Sequence, residues 1–261
     1  MSFALSFISE SIWAITDEGF KTLISVASRE NDFSALERSL GKPASSTRSA
    51  TVRGNIGILS INGPTFKRAN LFTEISGASS YEILLRDLHA LLQNSSVKAI
   101  LLNIDSPGGE ANGAAELSEH IFAARSKKPI YAYIGGFGAS AAYWLASSTS
   151  KIFAAETSLV GSIGVQTVLK SKEPTGQLSF VSSISPNKNR DPGTELGAKE
   201  VQRTVDALGG VFVQKVARNR GISVENVIDR FGQGSIFIGD KSLELGMVDK
   251  ITTFEGALLE I

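Results

Sequence analysis

The chain has 261 residues, 42% of them hydrophobic and 20% charged, which permits a sizeable core and excludes a disordered chain or a coiled coil. Basic and acidic residues balance at 26 each, so binding of nucleic acid by bulk charge is disfavoured and no nucleic-acid partner is expected. Cysteine is absent, which removes disulfides, thiolate zinc and cysteine nucleophiles. The two histidines, His89 and His120, leave little for a His-based metal site.

The first forty residues read as helical, with Ile12, Trp13, Ile15, Phe20, Leu23, Ile24 and Ala27 in a broken apolar stripe. Residues 43–54 (PASSTRSATVRG) are small, polar and basic, and read as a linker or exposed loop. Residues 1–50 are thus expected to be a helical arm and linker appended to a domain at 51–261. The N-terminus has no basic leader, and no apolar run approaches the roughly 18 residues of a spanning helix. A soluble chain of a cytoplasmic compartment, without a membrane anchor, is expected.

The body alternates strands and helices. Strands are expected at Ile56–Ile61, Val97–Ile104, Ile130–Ile134, Lys151–Ala154 and Phe180–Ile184, and helices at Tyr81–Leu92, Ala114–Arg125 and Ser140–Ser148. Towards the C-terminus, a long helix over Ala198–Asn219 and a second over Val224–Phe231 precede a strand at Ser235–Ile238 and a short helix at Asp240–Leu245. Nearly continuous apolar strands separated by helices indicate an α/β sheet covered on both faces.

Three strand-end segments are rich in glycine. Asp105-Ser106-Pro107-Gly108-Gly109 follows the strongest strand, where main-chain N–H groups can face a ligand with no Cβ in the way. By spacing alone it reads as an ordinary turn after a strand. Gly135-Gly136-Phe137-Gly138-Ala139-Ser140 turns the chain into an alanine-rich helix. Ser140 there suits a nucleophile whose attack creates an oxyanion, and it suits a plain N-cap. In Gly161-Ser162-Ile163-Gly164-Val165, Ser162 either orients a neighbouring group or marks a glycine bulge in a strand.

A serine nucleophile needs a base. His89 and His120 lie on helix flanks rather than at strand ends, which leaves lysine. Near pH 7.4 a lysine of ordinary pKa, about 10.4, is about one part in a thousand neutral; lowering that pKa by about 3 needs about 4 kcal/mol, which burial can supply. Lys188, after the expected strand Phe180–Ile184, is the best placed. Lys170 and Lys172 fall in a polar stretch, and Lys199 opens a helix with an exposed charged face.

At these residues the chain resembles the S49 family of serine peptidases, the signal peptide peptidase A group. The resemblance runs from about Gly57 to Ile251 and rests on IDSPGG at 104–109, KPIYAYIGGFGASAAYWLAS at 128–147, GSIGV at 161–165 and LELGMVDKI at 243–251. The N-terminal Trp13-Ala14-Ile15, the Gly63-Pro64 pair and SAAYW after the turn look most like the phage branch, the capsid or prohead assembly proteases.

That resemblance implies a ClpP/crotonase-like fold of repeated ββα units that forms homo-oligomers. It implies Ser140 as nucleophile and Lys188 as general base. It also implies an oxyanion hole made by the N–H groups of Gly109 and Ala141, and Ser162 as a partner for the lysine. No metal or other cofactor is implied. The implied substrates are phage scaffold, portal or capsid proteins, cleaved in the prohead within the host cytoplasm. With no long extension after the family motifs, any scaffold is expected to be a separate product. The alternatives are a cellular peptidase that degrades signal peptides, crotonase-type acyl-CoA chemistry, and a non-catalytic assembly module that keeps the peptidase fold.

Overall fold

The computed structural model describes residues 8, 11–27, 49–69, 78–169, 181–185, 187 and 191–261. In chain order the elements begin β1 (Trp13–Ile15), α1 (Asp17–Ala27), β2 (Ala50–Arg53), β3 (Ile56–Asn62), β4 (Thr65–Phe66), β5 (Ser79–Ser80) and α2 (Tyr81–Gln93). They continue with β6 (Ala99–Ser106), β7 (Gly108–Glu110), α3 (Ala114–Ala124), β8 (Ile130–Ala139), α4 (Ala141–Ser147), β9 (Lys151–Ala154) and β10 (Leu159–Gly161). The C-terminal part adds α5 (Glu195–Arg220), α6 (Val224–Arg230), β11 (Ile236–Ile238), α7 (Gly239–Glu244), β12 (Lys250–Ile251) and α8 (Phe254–Glu260).

An eight-stranded sheet carries the core. Its main path runs β11-β10-β8-β6-β3-β2, with β9 on β8 and β12 on β9. β3, β6 and β8 are parallel neighbours. Ile100, Leu102 and Ile104 face one side of β6 and pack with Leu84 and Leu88 of α2, Leu117 and Ile121 of α3, and Trp144 and Leu145 of α4. Leu101 faces the other side with Ile58, Tyr133, Phe153 and Ala257 of α8. Two covered faces leave few positions for a polar residue, hence the nearly continuous apolar runs in the sequence.

A second, four-stranded sheet has the order β1-β7-β4-β5. Together the two sheets produce the repeat expected of the fold class. β3–β4–β5–α2 and β6–β7–α3 each place a long strand in the large sheet, short strands in the small one, and then a helix.

Several expectations need correction. Trp13–Ile15 is a strand, not helix. β1 pairs antiparallel with β7, and Ala14 joins the main core. β-branched and aromatic side chains in alternation outweigh the helical spacing once a strand edge is available. The end of the expected linker, Ala50–Arg53, is β2, antiparallel to β3. Within the expected strand Phe180–Ile184, residues 181–184 are irregular and exposed, with Ile184 at 90%. Finally, β8 runs through Gly135, Gly136 and Gly138 to Ala139, so these glycines are strand residues rather than a turn.

Candidate active site

Ser140 joins β8 to α4. Its backbone stands at φ 54°, ψ −121°, a region that side chains other than glycine's rarely adopt, and such strain persists only where surroundings enforce it. Here the Ser140 N–H donates to the Gly161 carbonyl at 2.7 Å, and its own carbonyl accepts from the Trp144 N–H at 2.9 Å. The strand end and the fully buried helix Ala141–Ser147 therefore fix the junction from both sides. Ser140 caps no helix N–H with its side chain. Its Oγ donates a long bond to the Gly164 carbonyl, 3.4 Å away. The plain N-cap alternative is thus not what the hydroxyl does.

The loop Gly161–Gly164 holds the other side. Ser162 is a second non-glycine residue at positive φ, 53°, and its N–H donates to the Ser235 carbonyl at 2.7 Å. Among the described residues, only Ser140, Ser162 and Gln233 share this conformation outside glycine. Two of these three positions are candidates read from the sequence, and both belong to one connected loop pair.

The glycines of IDSPGG form the third wall. Gly108 has φ 99°, and a Cβ there would lie 2.3 Å from the Ala14 carbonyl oxygen, 2.9 Å from Ser140 Cβ and 3.0 Å from the Ala141 nitrogen. Only glycine permits that convergence. Gly109 sits inside the small sheet, where an added Cβ would be 1.9 Å from the Thr65 carbonyl oxygen. The structure thus brings Gly108, Ser140 and Ala141 to one point, with the Gly161 and Gly164 carbonyls bonded to Ser140. Gly109 is packed on Thr65, next to Gly108 in β7, and Ser162 lies in the loop between those two carbonyls.

Three positioning residues escaped the sequence reading. Ser106, fully buried, accepts the Gly108 N–H on its Oγ at 3.2 Å. Tyr81 Oη donates to the Glu110 carbonyl at 2.9 Å and lies 2.7 Å from Thr65 Oγ1, which ties β7 to β4 and α2. Burial pushes the Tyr81 phenol well above its ordinary range, so it stays a neutral donor. Burial likewise raises the Glu110 carboxyl, partly offset by the bond it accepts from the Lys67 N–H at 2.9 Å. The apolar environment of these residues was visible in sequence; their contacts across 16 to 43 residues of chain were not.

Lys188, Lys170 and Lys172 lie outside the described residues. Lys199 is exposed on α5 and ion-paired with Glu195 at 2.7 Å, the opposite of the apolar surroundings a neutral base needs. His89 and His120 are exposed, on α2 and α3, and pack edge to face with ring centres 5.5 Å apart.

A strained serine between a parallel strand and a buried helix, beside main-chain glycines, is the candidate site of this mixed α/β, ClpP-like fold. The family model described as peptidase family S49 matches residues 123–173 and 183–261. The chain is 29% identical over 217 residues to the head-tail preconnector protein GP5 of Enterobacteria phage P21, covering 79% of this chain and 42% of that protein. It is 27% identical over 219 residues to capsid assembly protease C of Escherichia phage lambda, covering 81% of this chain and 49% of that one. A Synechocystis protein named as a protease is 31% identical over 194 residues, with 70% of each chain covered. The chain belongs to peptidase family S49, a family of serine peptidases. It spans about half the length of its two phage relatives. Among the described residues, no helix is long and apolar enough to cross a membrane.

Proposed function

We propose that this chain is a serine endopeptidase with a Ser140–Lys188 dyad that processes phage head proteins during prohead maturation. The observation that carries the reading is the enforced positive φ of Ser140 beside Gly108 and the Ala141 N–H. Such a junction presents the hydroxyl at a strand end and keeps main-chain donors within reach of a developing oxyanion. The two phage relatives, whose names refer to the head-tail preconnector and to capsid assembly, support the choice of substrate.

In this mechanism neutral Lys188 takes the Ser140 Oγ proton as Oγ attacks a peptide carbonyl carbon. The N–H groups of Gly109 and Ala141 hold the tetrahedral oxyanion, each such donor being worth about 10²–10³ in rate. The lysine ammonium then gives its proton to the departing amine, and water, deprotonated by the same lysine, releases the acyl group from Ser140. Ser162 orients the lysine. The active particle is a homo-oligomer within the prohead.

The reading is tested with a peptide library made from whole cellular proteins, incubated with the wild type, Ser140→Ala and Lys188→Ala, and scored for new termini by mass spectrometry. Cleavage by wild type alone, with both variants folded, is the expected result. Full turnover by Lys188→Ala would move the base to Lys170 or Lys172. Cleavage unchanged in Ser140→Ala would remove the dyad altogether.

A further inference from the structure

The strand β1 lies against the glycines of the candidate site, and its hydrogen bonds point both ways. On one side, Ala111 N–H donates to the Ile12 carbonyl at 2.9 Å and Thr16 N–H to the Pro107 carbonyl at 3.0 Å. Hydrogen-bonded pairs alternate along an antiparallel ladder, so the pair between them, Ala14 with Gly109, is of the bonded kind and directs the Gly109 N–H at the Ala14 carbonyl. On the other side, Trp13 and Gln166 exchange both bonds at 2.8 Å. Gln166 Nε2 also donates to the Ile15 carbonyl and Thr167 Oγ1 to the Ser11 carbonyl, each at 3.1 Å.

β1 is therefore a strand seated between two facing edges. Neighbouring strands lie about 4.8 Å apart, so lifting β1 out leaves a slot one strand wide, with unpaired main-chain groups on both walls. Recognition in that slot is almost wholly through main chain, which suits an extended polypeptide of varied sequence. The Ala14 carbonyl oxygen converges with Ser140 Cβ and the Ala141 nitrogen on the one point that a Gly108 Cβ would fill. Ser140 itself is wholly buried, whereas attack requires a carbonyl carbon brought to within about 3–3.5 Å of the nucleophile.

We infer that β1 occupies the slot in which a polypeptide substrate binds, with Ala14 in the position of the residue whose carbonyl is attacked. The inference rests on the peptidase reading for what the slot serves. Substrate then enters as a strand antiparallel to β7, displaces residues 12–15, and presents a small side chain where Ala14 is packed. The N-terminal segment is suited to leave as a unit. Among the described residues, the cluster's buried members are Ile8, Trp13, Ile15, Phe20, Leu23 and Ala27 of the segment itself and Phe66, with Ala78 packed against them.

Two measurements test this. The cysteine-free chain allows a unique clamp, Ile12→Cys with Ala111→Cys, since residues in a bonded antiparallel pair stand about 5.5 Å apart and within disulfide reach. Cleavage of fluorescein-labelled casein is expected to be at least tenfold slower in the oxidised form and to recover on reduction; equal rates in the two forms overturn the inference. The second measurement needs no activity. With Ser140→Ala and Trp144→Phe, Trp13 is the sole tryptophan. It is fully buried, with its Nε1 donating to the Ile8 carbonyl at 3.0 Å. A peptide of residues 11–18 with Phe in place of Trp competes against a tethered segment of roughly millimolar effective concentration. It is expected to shift Trp13 emission to the red in that range; emission unchanged at about ten times that concentration overturns the inference. If the reduced clamp variant cleaves nothing while the peptide still displaces Trp13, the peptidase reading fails and the slot stands.

Discussion

β6 and β8 of the large sheet run for 8 and 10 residues, whereas the strands of the small sheet have 3, 3, 2 and 2. The large sheet holds its shape by burying apolar side chains on both faces. The small sheet has little side-chain mass to bury along β7, and is held by main-chain bonds, by Tyr81 and Thr65, and by glycines where no Cβ fits. The difference teaches where tolerance and chemistry lie. A scaffold made by area burial yields gradually to substitution, while one made by close backbone approach aligns reacting groups and yields abruptly.

The contrast can be broken or sharpened by substitution. The largest effect is expected from Ser140→Ala, with kcat down by about 10⁴ or more and the urea midpoint unchanged, because alanine keeps the same strained backbone and fits the same space. Leu102→Ala, in the fully buried centre of β6, should cost about 2–5 kcal/mol by chemical denaturation. Turnover per folded molecule should stay within about twofold, since Leu102 packs in the core and supplies none of the groups placed at the candidate site. Gly109→Ala should show the reverse balance. Its Cβ would meet the Thr65 carbonyl oxygen at 1.9 Å, so a stability loss of about 1–3 kcal/mol should come with at least a tenfold loss of cleavage, read on the same preparation.

The smallest effect belongs to the surface. Arg218, with Lys215 beside it, holds the Glu119 carboxyl down at about 2. A carboxyl lowered on folding stabilises fully above its unfolded pKa, near 4.3, and that contribution fades as pH falls through about 2. Because the Glu119 side chain is 44% exposed, the term should stay below about 1 kcal/mol. Thermal midpoints of the wild type and Glu119→Gln should differ by a few degrees at most at pH 7 and converge towards pH 2.

The same division governs what could be read in advance. Ile56–Ile61, Tyr81–Leu92, Ala114–Arg125 and Lys151–Ala154 lie within a residue or so of their observed bounds. Each signals its own burial through an unbroken apolar run or helical spacing. β1, β2 and the irregular stretch 181–184 were misread, because two- to four-residue strands exist only where a partner edge is offered or withheld. The loop-borne Ser140 was legible as a nucleophile or a cap; its hydroxyl makes no cap bond and reaches the Gly164 carbonyl instead. Ser106, Tyr81 and Thr65 carried no local signal, since their value lies in partners far along the chain.

The sequence by itself determined the α/β class, the sheet covered on both faces, the absence of cysteine and the family motifs around Ser140. Those follow from burial and local backbone preference, which are written residue by residue. Only the tertiary structure decided that Gly108, Ser140, Ala141 and the loop after β10 meet at one point, and that Trp13–Ile15 runs between β7 and Gln166. Such meetings depend on hydrogen-bond register between segments that are up to about 150 residues apart, and register is set by the packed whole.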